Sequence, residues 1–437
     1  FNQLADKNLE ISFSENPLLI PGLILFILLT GVLAGSYPAF YLSSFKPIAV
    51  LKGKFSAGKK STGIRSGLVV FQFFIAILLI VGTTVVFEQL SYMRHKDVGY
   101  NKDQVLVIQD AWMLGNNQDA FYQQLKNDPR VESVTRSGYL PAGRSDNNNF
   151  FLSGSQNPGQ MIKTLRYDVD EEYLSTLGIK LLQGRNFSKD YATDSSAIVL
   201  NETAARVLGW SNNALGHELT HTDNHGQKTS YHVIGVVKDF NFRSLYESIS
   251  PLVMTLAPNP SSLIAKLKTS DAAPLIAQCS KLWASLGAED AMSYSFLDDR
   301  FNNTYKAEQK TGTIVGIFAG LTIFVACLGL FGLAMFTAQQ RTREIGIRKV
   351  LGASVSQVTR MLSKEFLQLV LIASLIAFPA AWWAMNKWLQ AFAYRIDISW
   401  WMLAIAGFAA MLIALLTVSF QAVKAALANP VKSLRTE

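Results

Sequence analysis

Five long apolar runs constrain the fold of this chain more than any other feature of its sequence. A helix needs about 20 apolar residues to cross the ~30 Å hydrocarbon core of a bilayer. Each run has that length without a charged residue in its central part, and the predicted spans are residues 18–42, 68–90, 312–337, 366–387 and 400–423. We therefore expect a membrane all-α helical bundle of about five transmembrane helices.

Composition agrees with a membrane location. Charged residues make up 16% of the 437 residues and the mean hydropathy is +0.20, whereas soluble domains carry about 25% charged residues. The net charge is +8, but the basic residues gather in short stretches between apolar runs, as they do in cytoplasmic loops. This pattern predicts contact with the lipid bilayer and no binding of nucleic acid.

The basic stretches also predict the orientation of the spans. Lys and Arg predominate in residues 43–67, 338–365 and 424–437, which we assign to a basic cytoplasmic loop, a second cytoplasmic region and a cytoplasmic tail. The segments expected outside the cytoplasm are residues 1–17, 91–311 and 388–399. Five tryptophans then fall at the outer interface, where their rings are favoured: Trp382, Trp383, Trp388, Trp400 and Trp401.

Residues 91–311 have the pattern of one large α+β extracytoplasmic domain. Short β-rich runs (QVLVIQD, SAIVLN, YHVIGVV and PLVMTLAP) alternate with helical stretches and Asn/Gly/Pro turns. Asn201 is predicted to cap a helix that follows a strand. Residues 272–287 form an amphipathic helical pattern whose apolar stripe should face a core.

A short motif occurs twice at a constant offset. Residues 36–39 and 46–52 are paralleled by residues 419–422 and 429–435. In both copies, a membrane helix is expected to end in a short amphipathic tail before a proline and a basic stop. Because the chain also begins at Phe1 and not at Met, we expect it to hold the end of one module and a complete second module.

The most specific stretch is RTREIGIRKVLGAS, residues 341–354, directly after the third span. Glu344 and Arg348 have the spacing of a pair on one helix face, and Gly352 suits a helix C-terminus. The apolar patch of this helix comprises Ile347, Val350 and Leu351. Such a helix rests on the bilayer or binds a cytosolic partner, although a loop that only anchors topology fits the residues equally well.

This stretch resembles the coupling region of FtsX-like ABC permeases, the group that includes MacB-type exporters and lipoprotein-release permeases. NPVKSLRTE is similar to the family's C-terminus, and YLSTLGIKLLQGRNFS, IVLNETAARVLGW and VIGVVKDFNFRSL are similar to its periplasmic core domain. The chain departs from the pattern at its front, where a first ectodomain and coupling segment are not present. The resemblance implies an interface with a separate ATPase formed by Arg341, Arg343, Glu344, Ile345, Gly346, Ile347, Arg348, Lys349 and Gly352.

The resemblance implies the permease subunit of an ATP-driven ABC transporter in the bacterial inner membrane, with a periplasmic domain and a cytoplasmic C-terminus. We expect it to export or extract a peptide, drug or lipid-linked substrate. Its expected partners are a cytosolic ABC ATPase in two copies and a periplasmic or outer-membrane protein. No G-x-x-x-x-G-K-[ST] loop occurs in the sequence, so ATP and Mg²⁺ should bind the partner, with no cofactor or catalysis in this chain.

Three other functions remain open from the residues alone. The chain is alternatively an FtsX-like regulator of a cell-wall hydrolase or a surface receptor that is not coupled to ATP. An ion-coupled carrier is disfavoured, because such carriers place ionisable residues within the bilayer. The polar residues that the spans offer are Gln72, Thr83, Thr84, Thr322 and Ser374.

Smaller signals predict packing and not chemistry. Gly316 and Gly320 have the spacing that permits close helix approach. The histidines at 217, 221, 225 and 232 flank a turn between two strands, so we expect an exposed hairpin and no metal site. Cys279 and Cys327 lie in very different contexts, which argues against a disulfide.

Overall fold

The computed structural model describes residues 17–43, 59–141, 147–153, 161–223, 225–257 and 261–427. The chain divides into two compact units. The membrane unit comprises Phe1–Val85, Lys310–Ala384 and Ile398–Glu437, and the ectodomain unit comprises Val86–Gln309 and Met385–Asp397.

The helices of both units follow the predicted apolar and amphipathic segments. In chain order they are α1 (Leu19–Ser43), α2 (Lys59–His95), α3 (Gln118–Lys126), α4 (Tyr173–Leu177), α5 (Glu202–Val207), α6 (Ala273–Ser285), α7 (Leu297–Thr304), α8 (Lys306–Gln340), α9 (Thr342–Val350), α10 (Val355–Leu389) and α11 (Trp400–Leu427). Two 3₁₀ segments, Ala111–Asn117 and Ala192–Ser196, precede α3 and a strand of the ectodomain unit.

Four of these helices are long and apolar enough to cross a membrane: α2, α8, α10 and α11. Helix α1 coincides with the first predicted span, and it is apolar over Leu19–Val32. Among the described residues, four helices are thus able to span a membrane, and the expected count of about five is not confirmed.

Helices α2 and α8 run without interruption past the predicted ends of their spans. Helix α2 has 37 residues and α8 has 35, which corresponds to more than about 50 Å of length each at 1.5 Å per residue. Val86, Leu90 and Met93, in the last turns of α2, belong to the apolar core of the ectodomain unit. Helix α2 therefore continues from its apolar span into the ectodomain unit.

The ectodomain unit contains two sheets. The strands are β1 (Val105–Gln109), β2 (Val131–Arg136), β3 (Asn148–Ser153), β4 (Met161–Val169), β5 (Leu181–Gly184), β6 (Ala197–Asn201), β7 (Glu218–Thr222), β8 (Lys228–Val237), β9 (Leu252–Leu256), β10 (Ser262–Leu267) and β11 (Tyr294–Phe296). The smaller sheet is antiparallel in the order β11-β1-β10-β2. The larger sheet is mixed in the order β5-β8-β6-β9-β4-β3-β7, and β8 also pairs with β7, which curls the sheet back on itself.

Side-chain alternation along the strands divides the interior into separate cores. In β1, Val105 and Val107 face the core that contains the end of α2, whereas Leu106 and Ile108 face a core covered by α3 and α6. This division follows from the two-residue period of a strand. The smaller sheet is therefore buried on both faces, and the predicted α+β domain is present.

The sequence predictions for individual elements mostly hold. Asn201 accepts a hydrogen bond from the Ala204 amide at 2.9 Å and so caps α5. In α6, Leu275 and Trp283 are buried in the core, as the apolar stripe predicted. Asp298 and Asp299 lie in the first turn of α7, where carboxylates are favoured by the helix dipole.

The duplicated motif is partly visible. Helix α1 ends at Ser43 and α11 ends at Leu427, so the first half of each copy lies in the last turns of a helix. The second halves, residues 46–52 and 429–435, lie outside the described residues. The same holds for most of the predicted segments 1–17 and 43–67 and for the end of the tail.

Candidate functional site

Helix α9 is the short helix that the RTREIGIRKVLGAS stretch predicts, and one side chain fixes it to the bundle. Ile345 is 4% exposed and packs in an apolar cluster with Val358 and Leu362 of α10 and Ala422 of α11. Burying an isoleucine side chain of this kind stabilises the packing by about 2–3 kcal/mol. Ile345 therefore holds α9 in place.

The opposite face of α9 is bare and apolar. Ile347 is 48% exposed, Val350 68% and Leu351 80%. Beside them, Arg348 donates a hydrogen bond from Nη2 to Glu344 Oε1 at 2.8 Å, which confirms the predicted pair. A surface with large exposed apolar side chains and a neighbouring charge pair is typical of a site for another protein.

Capping hydrogen bonds are present at the end of α9 and at the start of α10. Gly352 has φ +89°, and its N–H donates to Lys349 O while the Ala353 N–H donates to Arg348 O at 2.9 Å, which is the Schellman arrangement. At the next helix, Ser354 and Gln357 exchange the two hydrogen bonds of a capping box. Ala353 ends the first motif and Ser354 begins the second, so a short, fully capped turn joins α9 to α10.

An ion pair joins the N-terminal end of α9 to α10. Arg341 Nη2 lies 2.8 Å from Glu365 Oε1 of α10. Both side chains are partly exposed, so this pair alone contributes at most about 1 kcal/mol. Together with Ile345 and the capped turn, it makes α9 and the first turns of α10 one body.

The remaining predicted interface residues are distributed around α9. Gly346 is buried and Lys349 is half-buried with an interaction partner. The side chain of Arg343 lies outside the described part of the structure. The structure thus brings Glu344, Ile347 and Arg348 onto the exposed face, and it places Ile345 and Gly346 on the opposite side.

Helix packing at the predicted glycines is only partly as expected. A Cβ atom placed on Gly316 would lie 3.5 Å from Thr83 Cγ2 of α2, whereas none of the described atoms lies within 4 Å of one placed on Gly320. The tighter approach is at Gly329, where a Cβ would lie 2.6 Å from Gln72 Oε1. Gly316 and Gly329 therefore contact α2, and a packing role of Gly320 stays a prediction.

The outer end of α2 carries a contact that the sequence did not indicate. Gln89 is fully buried; its Nε2 donates to Tyr394 O at 2.8 Å, and its Oε1 accepts from the Ile396 N–H at 2.9 Å. We call residues 385–397, which comprise the last residues of α10 and the segment after it, the outer loop. A polar residue near the end of an apolar run usually reaches water, so Gln89 had no sequence signal for this role.

The outer loop is also joined to the core of the ectodomain unit. The Ala393 N–H donates to Tyr246 O at 3.1 Å, and the rings of Tyr246 and Phe392 stack at 4.5 Å. Burial, followed by the hydrogen bond that its hydroxyl donates to Glu308, raises the pKa of Tyr246. The outer loop is thus an anchored element of this unit.

The tryptophan prediction needs one correction. Trp388 is half-buried and packs on Phe392 at 4.8 Å, so it belongs to the core around the outer loop. The other four are exposed as a membrane interface requires: Trp382, Trp383, Trp400 and Trp401.

Two of the sequence motifs of the ectodomain unit meet in one hydrogen-bonded cluster. Asn201 Nδ2 donates to Asp239 Oδ1 at 2.9 Å, and Asp239 also accepts from the N–H and the hydroxyl of Thr203. The cluster joins IVLNETAARVLGW to VIGVVKDFNFRSL. Asn201 has no exposure and caps α5, so this cluster holds the start of α5 against the segment after β8.

The histidines at 217, 221, 225 and 232 lie on and beside one β-hairpin. Glu218 to Thr222 pair antiparallel with Lys228 to His232, which confirms the predicted hairpin, and His217 stacks on Trp210 at 4.4 Å. In the described part of the chain, no cluster of three or more His, Cys, Asp or Glu side chains has the arrangement of a metal site. Cys279 and Cys327 are both free.

Two family descriptions match most of the chain. Residues 316–430 match the FtsX-like permease C-terminal domain, and residues 66–278 match the MacB-like periplasmic core domain. The first match contains α9 and its exposed face. The second contains the Asn201 cluster and most of the two sheets.

Individual relatives are distant in sequence. The chain is 24% identical to the ABC transporter permease YknZ of Bacillus subtilis (strain 168) over 62% of this chain and 69% of that protein. It is 25% identical to the macrolide export ATP-binding/permease protein MacB of Aggregatibacter actinomycetemcomitans over 47% of this chain and 33% of that protein. The chain thus spans about two thirds of the first relative and one third of the second.

Among solved structures, the periplasmic region of MacB from Actinobacillus actinomycetemcomitans matches at a TM-score of 0.33 and 16% identity, covering 48% of this chain and 96% of that one. The two matched domains, the four apolar helices and the relatives agree on one family. The chain belongs to the FtsX/MacB group: it is a membrane ABC transporter permease with an FtsX-like C-terminal domain and a MacB-like periplasmic core domain.

Proposed function

We propose that this permease transmits the motion of a separate ABC ATPase to its extracytoplasmic domain, and that α9 is the surface on which the ATPase docks. The observation that carries the proposal is the two-sided character of α9. Ile345 fixes the helix to α10 and α11 from one side, while Ile347, Val350 and Leu351 stand exposed on the other. A helix held this way moves together with α10 when a partner displaces it.

Continuous helices are available to transmit a displacement of α9 to the extracytoplasmic domain. Helices α2 and α8 are unbroken from the membrane unit into the ectodomain unit. Helix α10, which is rigidly joined to α9, leads into the outer loop held by Gln89. A displacement of α9 therefore reaches the outer domain without a substrate path between the helices.

Export or extraction is the direction that we propose. The relative MacB is named for macrolide export, and a large outer domain suits the handling of a peptide, drug or lipid-linked substrate beyond the membrane. The basic loops favour an orientation with α9 and the C-terminus in the cytoplasm and residues 91–311 in the periplasm. ATP and Mg²⁺ then bind two copies of the ATPase, and the outer domain is free to meet a periplasmic or outer-membrane partner.

Co-purification tests the proposal. The full-length protein is co-expressed with ABC ATPase subunits of the same organism, purified through a tag on this chain and assayed for ATP hydrolysis. Ile347→Asp should lower the amount of bound ATPase at least about thirtyfold, since an interface anchor contributes about 2 kcal/mol or more. The matched control is Val207→Asp, which alters an equally exposed apolar residue (50%) on α5 of the ectodomain unit. Equal ATPase recovery with both variants would reject α9 as the docking surface.

A further inference from the structure

A groove of about 1500 Å³ lies between α10 and α11 in the membrane unit. The residues that line the groove are basic at one end and apolar along the rest. Arg360 and Lys364 line the end that is closer to α9, and Leu371, Met411 and Leu415 line the rest. From Arg360 to Leu371 the helix rises about 16 Å. This length is enough to pass from the level of a phospholipid headgroup to the level of its acyl chains.

The two cations at this end are exposed and spaced one turn apart on the same face of α10. Neither takes part in an ion pair with the described residues, and the neighbouring carboxylate, Glu365, is engaged by Arg341. Lys and Arg at a membrane surface attract anionic lipid headgroups. The groove thus offers two uncompensated positive charges to a ligand that enters from the bilayer.

Two hydroxyls beside the cations also lack partners. Thr359 Oγ1 and Ser363 Oγ are both buried and have no hydrogen-bond partner in the described structure, and both line the groove. Helical Ser and Thr in a membrane span usually donate to the carbonyl four residues earlier, as Ser374 does to Val370 at 2.9 Å. Each of these two hydroxyls therefore keeps a hydrogen-bond donor that a ligand atom in the groove is able to accept.

We propose that the groove binds one anionic phospholipid. The phosphate lies between Arg360 and Lys364 and accepts from the hydroxyls of Thr359 and Ser363, and an acyl chain lies against Leu371 and the facing side chains of α11. A lipid satisfies both ends of the groove. This site is independent of the proposed ATPase docking.

Native mass spectrometry of the full-length protein in detergent tests the site. The probes are phosphatidylglycerol and phosphatidylcholine with identical acyl chains. We expect the first bound lipid to show about a tenfold preference for phosphatidylglycerol, which the double variant Arg360→Gln/Lys364→Gln abolishes. The matched control, Arg65→Gln/Arg94→Gln, removes two basic residues of α2, which does not line this groove, and it should keep the preference.

Two further measurements make the test decisive. Ser363→Ala should weaken phosphatidylglycerol binding severalfold but raise the melting temperature in lipid-free detergent, because it removes an unpaired buried hydroxyl. A photoreactive phosphatidylglycerol with a diazirine in its acyl chain should label residues 367–372 or 411–423. The proposal is overturned by equal binding of both lipids, by a preference that survives the double variant, or by a photoreactive residue at Leu371 that cross-links to another membrane helix.

Discussion

Gln89 Nε2 donates a hydrogen bond to the carbonyl oxygen of Tyr394 at 2.8 Å, and this contact joins the outer end of α2 to the outer loop after α10. The same side chain accepts from the Ile396 N–H. One buried amide therefore satisfies a donor and an acceptor of a loop that lies 305 residues further along the chain. The outer loop is thereby fixed to the end of α2 within the ectodomain unit.

Replacing Gln89 with Leu should release the outer loop. The Tyr394 carbonyl and the Ile396 N–H would then lose their partners, and each unpaired buried group costs about 1–3 kcal/mol. In hydrogen exchange followed by mass spectrometry, we expect peptides that cover residues 390–397 to exchange at least about tenfold faster.

The control for this experiment is Gln72→Leu, in the same helix. The Oε1 atom of Gln72 is buried without a hydrogen-bond partner in the described structure, so its replacement should leave exchange of the outer loop unchanged. If the two variants gave the same exchange rates at residues 390–397, the hydrogen bonds of Gln89 would not stabilise the outer loop.

The charge pair on α9 distinguishes a structural from an interface role. Exchanging the partners, Glu344→Arg with Arg348→Glu, keeps an i,i+4 pair, so the free energy of unfolding should change by less than about 1 kcal/mol. The charges presented to the ATPase are nevertheless reversed, so stimulated ATP hydrolysis should fall more than about tenfold. Hydrolysis at the wild-type rate would mean that the pair serves only the helix.

Gly184 should be the most sensitive glycine of the larger sheet. It has φ +71°, and a Cβ atom there would lie 2.1 Å from the backbone oxygen of Ile234. Gly184→Ala should therefore lower the free energy of unfolding by more than about 3 kcal/mol, because strain and a backbone clash add. Gly216 has φ +80° but open space around it, and Gly216→Ala should cost only about 1–2 kcal/mol. Similar melting temperatures for the two variants would contradict the close strand approach.

The loss of folding stability at acidic pH should depend on Asp194. Hydrogen bonds from the Arg185 guanidinium, at 2.6 and 2.7 Å, hold the pKa of this carboxyl below its ordinary value of 3.8. A depressed folded-state pKa gives stability that is present above the unfolded pKa and is lost as the pH falls through the folded pKa. Thermal unfolding between pH 6 and about pH 3 should thus show a flatter pH dependence in Asp194→Asn than in the wild type. Asp190→Asn, on an exposed neighbour, should keep the wild-type slope.

Much of the architecture followed from local patterns. The long apolar runs predicted the membrane helices because length and hydropathy alone decide bilayer insertion. The strands around Val107, Val199 and Met254 were found because buried β-rich runs between turn residues leave few alternatives. The motif at residues 341–354 predicted α9, its charge pair and its glycine stop, since capping and i,i+4 spacing are readable from sequence.

The parts that the sequence did not predict depend on distant contacts. The spacing of Gly316 and Gly320 does not determine which helix face meets α2, and the close contact occurs at Gly329. Trp388 resembles the other interfacial tryptophans, yet the fold of the outer loop buries it against Phe392. The inward direction of Ile345 and the outward direction of Ile347 likewise required the positions of α10 and α11.

Site-specific photo-cross-linking from α9 tests the central claim most directly. A photoreactive amino acid replaces Ile347 in the full-length protein, and a second protein carries it at Val207 as the control. After irradiation of cells that express the whole transporter, we expect an adduct between the Ile347 position and an ABC ATPase subunit, and none from Val207. An Ile347 protein that folds, inserts in the membrane and gives no ATPase adduct would contradict the coupling role of α9.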